Sequence, residues 1–150
     1  MRYLLIDHIT EWEKGKKMKG IKNVAMSEDF LEFHFPKNPI MPGVMLLEAF
    51  IQLAGWLEAV SSDFQNWFFI NTIKKSNFYG FALPGDQVEL EIESLSGDDT
   101  DLRIYRGLGT VKGKKKILAE FAGERIPVQE IEEPEEQKRL FQRLTRELTF

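Results

Sequence analysis

Residues 44–60 read VMLLEAFIQLAGWLEAV, a helix-forming run of Leu, Ala, Met and Glu with apolar side chains on every side. Pro42-Gly43 opens it and Ser61-Ser62-Asp63 closes it. A helix without a polar face has to be covered on most sides, so the rest of the chain must wrap around it. A bilayer would supply similar cover. However, Glu48, Gln52 and Glu58 interrupt the run, and it falls short of the ~20 residues a spanning helix needs. No membrane insertion is expected.

The wrapping material reads as strands. Residues 4–9 and 17–24 form a hairpin, and further strands fall at 67–73, 87–95, 102–111 and 116–126. Pro84-Gly85-Asp86, Gly97-Asp98-Asp99 and Gly113 supply the turns between the later ones. Val88-Glu89-Leu90-Glu91-Ile92-Glu93 alternates strictly, which places acids on a solvated face and aliphatics on a buried one. An antiparallel sheet curled round one hydrophobic central helix is an α+β architecture. Ser27-Glu28-Asp29 opens at most about two helical turns before Pro36 and Pro39, which leaves 34–42 as a fixed loop. Beyond Pro127, Leu140, Phe141, Leu144 and Leu148 lie at helical spacing on a charged segment, with Glu135 and Arg139 placed for an i,i+4 pair. The chain thus divides into a domain over 1–127 and a C-terminal amphipathic helical extension over 128–150. That extension is expected to dock on its own domain or on a neighbouring subunit.

A chain of 150 residues suits one domain rather than two. With no cysteine and only two histidines, it offers neither a disulfide framework nor a thiolate or His-rich metal site. A formal charge of -4 gives no broad footprint for nucleic acid. The first apolar run is broken by Asp7 and His8, too early for a signal peptide, so a soluble cytoplasmic protein is expected. Gly107-Leu-Gly109-Thr-Val-Lys-Gly113 has one residue too many for a dinucleotide fingerprint, Lys114 is not followed by Ser or Thr, and no Gly-x-Ser-x-Gly elbow occurs. Lys112, Lys114, Lys115 and Lys116 surround a hairpin tip, where they serve solubility or the docking of an acidic partner.

Three features near the helix start combine into chemistry. His34, within Phe33-His34-Phe35, has the side chain for a general base, although a single histidine in such a setting more often only packs. Glu48 lies one turn into the apolar helix, where a carboxylate must be paired, hydrogen-bonded or protonated. The free N–H groups near Gly43 and Val44, with the positive end of the helix dipole, suit an oxyanion, and Gly43 lets a ligand approach the backbone. A base, a proton donor and an oxyanion site are the parts for abstracting a proton next to a carbonyl. His8 is read as structural.

The stretch His34-Phe-Pro-Lys-Asn-Pro-Ile-Met-Pro-Gly-Val44, followed by Met-Leu-Leu-Glu48-Ala-Phe-Ile-Gln52, resembles the 3-hydroxyacyl-(acyl-carrier-protein) dehydratases of the FabZ/FabA type. Similarity continues at Arg2-Tyr-Leu-Leu-Ile-Asp7, Ile21-Lys-Asn-Val24 and Leu83-Pro-Gly-Asp86, covering about residues 2–126. The resemblance implies a hotdog fold and a homodimer whose sheets join, or a trimer of such dimers. It implies a hydro-lyase of fatty acid or related polyketide biosynthesis that takes a (3R)-hydroxyacyl thioester to a trans-2-enoyl thioester. The acyl group would ride on the phosphopantetheine of acyl carrier protein or on coenzyme A, with no metal or redox cofactor. Carried over by position, His34 is the base from one subunit and Glu48 the acid from the other. Gly43, with Val44 beside it, supplies the N–H that polarises the thioester carbonyl, and Gln52 holds the Glu48 carboxyl. Glu rather than Asp at 48 places the chain nearer the FabZ-like branch, without double-bond isomerisation. Two positions depart from the family pattern: Lys37 stands where Gly is usual, and Asn77-Phe-Tyr-Gly-Phe81 stands where basic docking residues are common. Lys74, Lys75 and the tip at 112–116 are candidates to replace the latter. Two alternatives stay open: a hotdog thioesterase, and a noncatalytic acyl-carrier-binding or assembly subunit.

Overall fold

In a computed structural model, the apolar run forms the 19-residue helix α1 (Gly43–Ser61), with Leu46, Phe50, Leu53, Ala54 and Leu57 buried along it. The structure describes residues 3–97 and 100–147; Arg2, Asp98, Asp99 and Leu148, named above, lie outside the described residues. By length and composition α1 does suffice to cross a membrane, which corrects the length argument made from the sequence. Its cover comes instead from six strands: β1 (His8–Glu13), β2 (Lys17–Asn23), β3 (Asn66–Phe78), β4 (Gln87–Ser94), β5 (Leu102–Val111) and β6 (Lys114–Pro127). They form one antiparallel sheet in the order β1-β2-β4-β5-β6-β3, and α1 packs against β2 through β6.

Alternation decides which face meets the helix. In β4, Val88, Leu90 and Ile92 are buried while Glu89 and Glu93 face water; in β5, Tyr105, Gly107 and Gly109 turn inward. The close approach of sheet to helix needs glycine at both surfaces. A Cβ on Gly107 would lie 2.6 Å from the Phe50 ring, and one on Gly55 of α1 would lie 2.3 Å from Trp67. Bulges in β1 near Ile9, in β3 between Ile70 and Lys75, and between β5 and β6 at Gly109 add local twist, which helps the sheet curl. The β5–β6 turn is Lys112-Gly113, both at positive φ (50° and 78°), the geometry of a two-residue hairpin loop.

Three expectations change in detail. The first strand covers His8–Glu13 rather than 4–9: Leu5 and Ile6 are buried, but their backbone runs along α1 instead of pairing. β3 continues to Phe78, five residues past the expected end, because its two bulges break the period-two pattern that marks a strand. The helical start at Ser27 shrinks to a 3-10 turn at Asp29–Leu31.

The C-terminal helix, α2 (Pro134–Leu144), docks on the chain's own body. Phe141 enters a cage of Trp12, Trp56 and Phe64 at ring-centroid distances of 5.3, 5.9 and 5.5 Å. Arg139 pairs with Glu136 one turn away, not with Glu135; both spacings bring side chains together on a helix surface.

Candidate active site

The loop that carries His34 is tied by its own backbone. Phe35 and Asn38 exchange hydrogen bonds (3.1 and 3.0 Å), Ile40 N–H donates to His34 O (2.9 Å), and Met41 N–H donates to Ala82 O (2.9 Å). The His34–Phe35 peptide is cis, and the two rings stack at 4.4 Å. Lys37, at the position where the family usually has glycine, is exposed and does not take a left-handed backbone angle, so the loop closes without glycine there.

His34 Nδ1 lies 3.0 Å from Ile40 O. A carbonyl oxygen only accepts, so Nδ1 carries the hydrogen, and in the neutral ring Nε2 is the nitrogen with a free lone pair. His34 lines an apolar cavity of about 220 Å³ together with Gly43, Val44, Leu46, Phe78 and Phe81. As the first residues of α1, Gly43 and Val44 have no carbonyl of the same helix within reach of their N–H groups. The space beside Gly43 is taken by the Phe78 ring, 2.5 Å from where a Cβ would stand, so this glycine admits a side chain of β3 to the helix start. Val44 (66%) and Phe81 (62%) are largely exposed.

Glu48 and Gln52 are not among the residues lining that cavity. Glu48 is half-buried, and its Oε1 accepts from Gln52 Nε2 at 3.2 Å. Gln52 is held in turn by the chain's start: Nε2 also donates to Tyr3 O (2.9 Å), and Oε1 accepts from Leu5 N–H (2.9 Å). Within one chain, then, His34 shares a cavity with Gly43 and Val44, and Glu48 bonds to Gln52 further along α1. His8 pairs with Ile21 in the β1–β2 ladder and lies apart from both.

A further polar cluster was not anticipated. Glu58, also on α1 and 3% exposed, accepts from Arg103 Nε (2.6 Å) and the Tyr105 hydroxyl on one oxygen and from Arg125 Nε (2.9 Å) on the other. Arg103, 1% exposed, also donates to Gly97 O (2.5 Å) and Ser94 Oγ (3.1 Å). Burial pushes the Glu58 carboxyl up, but hydrogen bonds from Tyr105, Arg103 and Arg125 outweigh it and hold the group below its ordinary value. Burial and the adjacent Glu58 charge push the Tyr105 phenol well up. The available signal was the alternation of β5, which puts Arg103 on the same inward face as Tyr105, opposite an acid in an apolar helix.

The lysine tip borders the His34 cavity. Lys115 Nζ sits 5.1 Å over the Tyr79 ring, Tyr79 N–H donates to Lys116 O (2.8 Å), and the Lys116 side chain lies against Gly80, which lines the cavity with Phe81.

The family model of the FabA-like domain matches residues 1–121. The chain belongs to the FabA-like domain family. Its relatives include the 3-hydroxyacyl-(acyl-carrier-protein) dehydratase FabZ of Thermoanaerobacter sp. (strain X514), 42% identical over 121 residues that cover 80% of each chain. The FabZ of Geotalea uraniireducens is 34% identical over 125 residues, 81% of each chain. Among solved structures, the dehydratase heterocomplex ApeI:P from Xenorhabdus doucetiae superposes on this FabA-like chain with a TM-score of 0.63 at 18% identity, covering 83% of it and 100% of the other. Smu.793 from Streptococcus mutans, solved with acetyl CoA, gives 0.66 at 14% identity, covering 85% and 94%. At those identities the likeness shows the fold, a hotdog, and nothing finer. The family match ends at residue 121, before α2.

Proposed function

We propose that the chain catalyses the reversible dehydration of a 3-hydroxyacyl thioester to a trans-2-enoyl thioester. The observation that carries this is the cavity in which His34, with Nδ1–H committed to Ile40 O, stands beside the first N–H groups of α1. The thioester carbonyl accepts from the N–H of Gly43, with Val44 next to it, so negative charge developing on that oxygen meets a donor and the positive end of the helix. His34 Nε2 removes the C2 proton. The C2–H electrons form the C2=C3 bond, the C3–O bond breaks, and Glu48 gives its proton to the departing hydroxyl as water. His34 ends protonated and Glu48 ionised, and proton exchange with solvent restores both. Gln52 orients the Glu48 carboxyl through its 3.2 Å hydrogen bond.

The reaction uses no metal or redox cofactor. The substrate is carried on phosphopantetheine, of acyl carrier protein or of coenzyme A, in a cytoplasmic setting. The acid comes from a second copy in a homodimer, a reading supported by the family resemblance and by a His34 cavity whose lining does not include Glu48 of the same chain. β3 ends the sheet and exposes Phe69, Ile73 and Phe78, an apolar edge suited to joining two sheets. Domain 1–127 carries this site.

The test is incubation of purified protein with trans-2-enoyl thioesters on coenzyme A and on carrier protein, following hydration and thiol release separately. Hydration without thiol release, unaffected by chelators, is the expected result. Rapid thiol release without hydration assigns a thioesterase, and tight acyl-carrier binding with neither reaction assigns a noncatalytic subunit.

A further inference from the structure

The amide of Gln52 presents its NH2 end to Glu48 Oε1 at 3.2 Å, an arrangement that leaves the other carboxyl oxygen to carry the proton the reaction delivers. Nothing in Gln52 itself sets that choice: the two ends of a side-chain amide are nearly the same shape. What sets it is the backbone of residues 3–5. Leu5 N–H only donates, so it selects Gln52 Oε1 (2.9 Å), and Tyr3 O only accepts, so it selects Nε2 (2.9 Å). With those two bonds made, the remaining hydrogen on Nε2 is directed to Glu48 Oε1 at 3.2 Å. The segment that does this has no place in the sheet, whose first strand begins at His8.

α2 faces the same segment from outside. Leu4 lines a cavity of about 200 Å³ with Gln137, Leu140 and Arg143 of α2, and α2 is anchored by Phe141 in the cage of Trp12, Trp56 and Phe64. α2 lies beyond the matched family region.

We infer that residues 3–5, backed by α2, are a positioning element for Glu48: they lock the orientation of the Gln52 amide, and that amide aims the carboxyl. This rests on the dehydratase reading above, in which Glu48 is the acid. Tyr3, Leu4 and Phe141 touch no reacting atom in this account and act only through Gln52. Their loss therefore lowers turnover, not substrate binding, and has no effect once Gln52 is gone.

The experiment is a mutant cycle on enoyl-thioester hydration, with kcat and KM read separately. Tyr3→Gly with Leu4→Gly loosens the backbone while keeping both hydrogen-bonding groups, and Phe141→Ala loosens α2, with Phe141→Leu as the conservative rescue. In the wild-type background each loosening change is expected to lower kcat about tenfold, within the range that loss of alignment produces. KM is expected to stay within about twofold, with most of the activity restored in Phe141→Leu. In a Gln52→Ala background the same changes are expected to leave kcat as they find it. An equal loss in both backgrounds, or a loss confined to KM, overturns the inference and leaves segment and helix as scaffold. If Phe141→Ala fails to fold, the glycine pair decides alone. A wild type that hydrates no thioester defeats the dehydratase reading instead, which separates the two failures.

Discussion

Glu58→Gln isolates what a single buried charge contributes to this fold. Gln has nearly the same shape, so packing on α1 is preserved. The change removes the counter-charge of the Arg103 guanidinium and turns a donating amide NH2 either toward Arg103 and the Tyr105 hydroxyl or toward Arg125. Arg103 is 1% exposed and still holds Gly97 O and Ser94 Oγ, while the Arg125 side chain is 22% exposed and keeps some solvation. Breaking a buried pair costs about 3–5 kcal/mol, and these residual contacts place the loss near the lower end, about 3 kcal/mol. With a urea slope of about 2 kcal/mol/M for a domain of this size, the unfolding midpoint is expected to fall by roughly 1.5 M. The assay is equilibrium urea unfolding at pH 7 and fixed protein concentration, followed by tryptophan fluorescence. The pH dependence has a fixed sign. The folded carboxyl is held below its ordinary value of 4.5, so its contribution is complete above that value and is lost as pH falls through the lower, folded one. The gap between wild type and Glu58→Gln is therefore expected to be flat at neutral pH and to narrow below about pH 4.5. A midpoint shift under about 0.3 M, or a gap that widens on acidification, refutes the claim that Glu58 is an ionised, paired group.

Two other perturbations test packing and docking. Gly55→Ala puts a Cβ 2.3 Å from the Trp67 ring, so thermal stability is expected to drop by several degrees despite the better helix propensity of Ala, and an unchanged or raised Tm contradicts the packing described. Lys115→Glu with Lys116→Glu reverses charge on the lysines that lie against Tyr79 and Gly80, next to the His34 cavity. It is expected to lower kcat/KM for carrier-bound substrate about tenfold more than for the coenzyme A thioester, with the difference fading at high salt; equal effects leave the tip a solubility feature.

Legibility in the sequence followed local periodicity. α1, β4 and β5 have bounds within about a residue of the reading: the two strands alternate without a break, and α1 is a run of helix formers bounded by Pro42-Gly43 and Ser61-Ser62-Asp63. β3 was read short because two bulges between Ile70 and Lys75 slip the alternation, and β1 was displaced because an edge strand such as His8–Glu13 exposes most of its side chains and shows little apolar pattern. Glu58 looked like an interruption of α1, since its partners Arg103, Tyr105 and Arg125 lie 45 to 67 residues away, beyond any local window. His34 and Glu48 stood out from the chemistry expected at a helix start and from the family resemblance. The expectation that the two serve different sites of a dimer came with that resemblance, whereas the clamp of residues 3–5 on Gln52 depends on tertiary packing that no spacing encodes.

The dehydratase account rests most directly on a dyad completed by two subunits, and subunit exchange measures it. His34→Ala and Glu48→Gln, each expected to be inactive alone, are mixed at equal concentration and allowed to exchange, with mixed dimers verified by mass. Random pairing makes about half the dimers mixed, and two-fold symmetry gives each of these one intact site and one lacking both groups. Hydration of an enoyl thioester is then expected to return to roughly a quarter of the wild-type rate. Confirmed exchange with no return of activity contradicts a site built from His34 of one chain and Glu48 of the other.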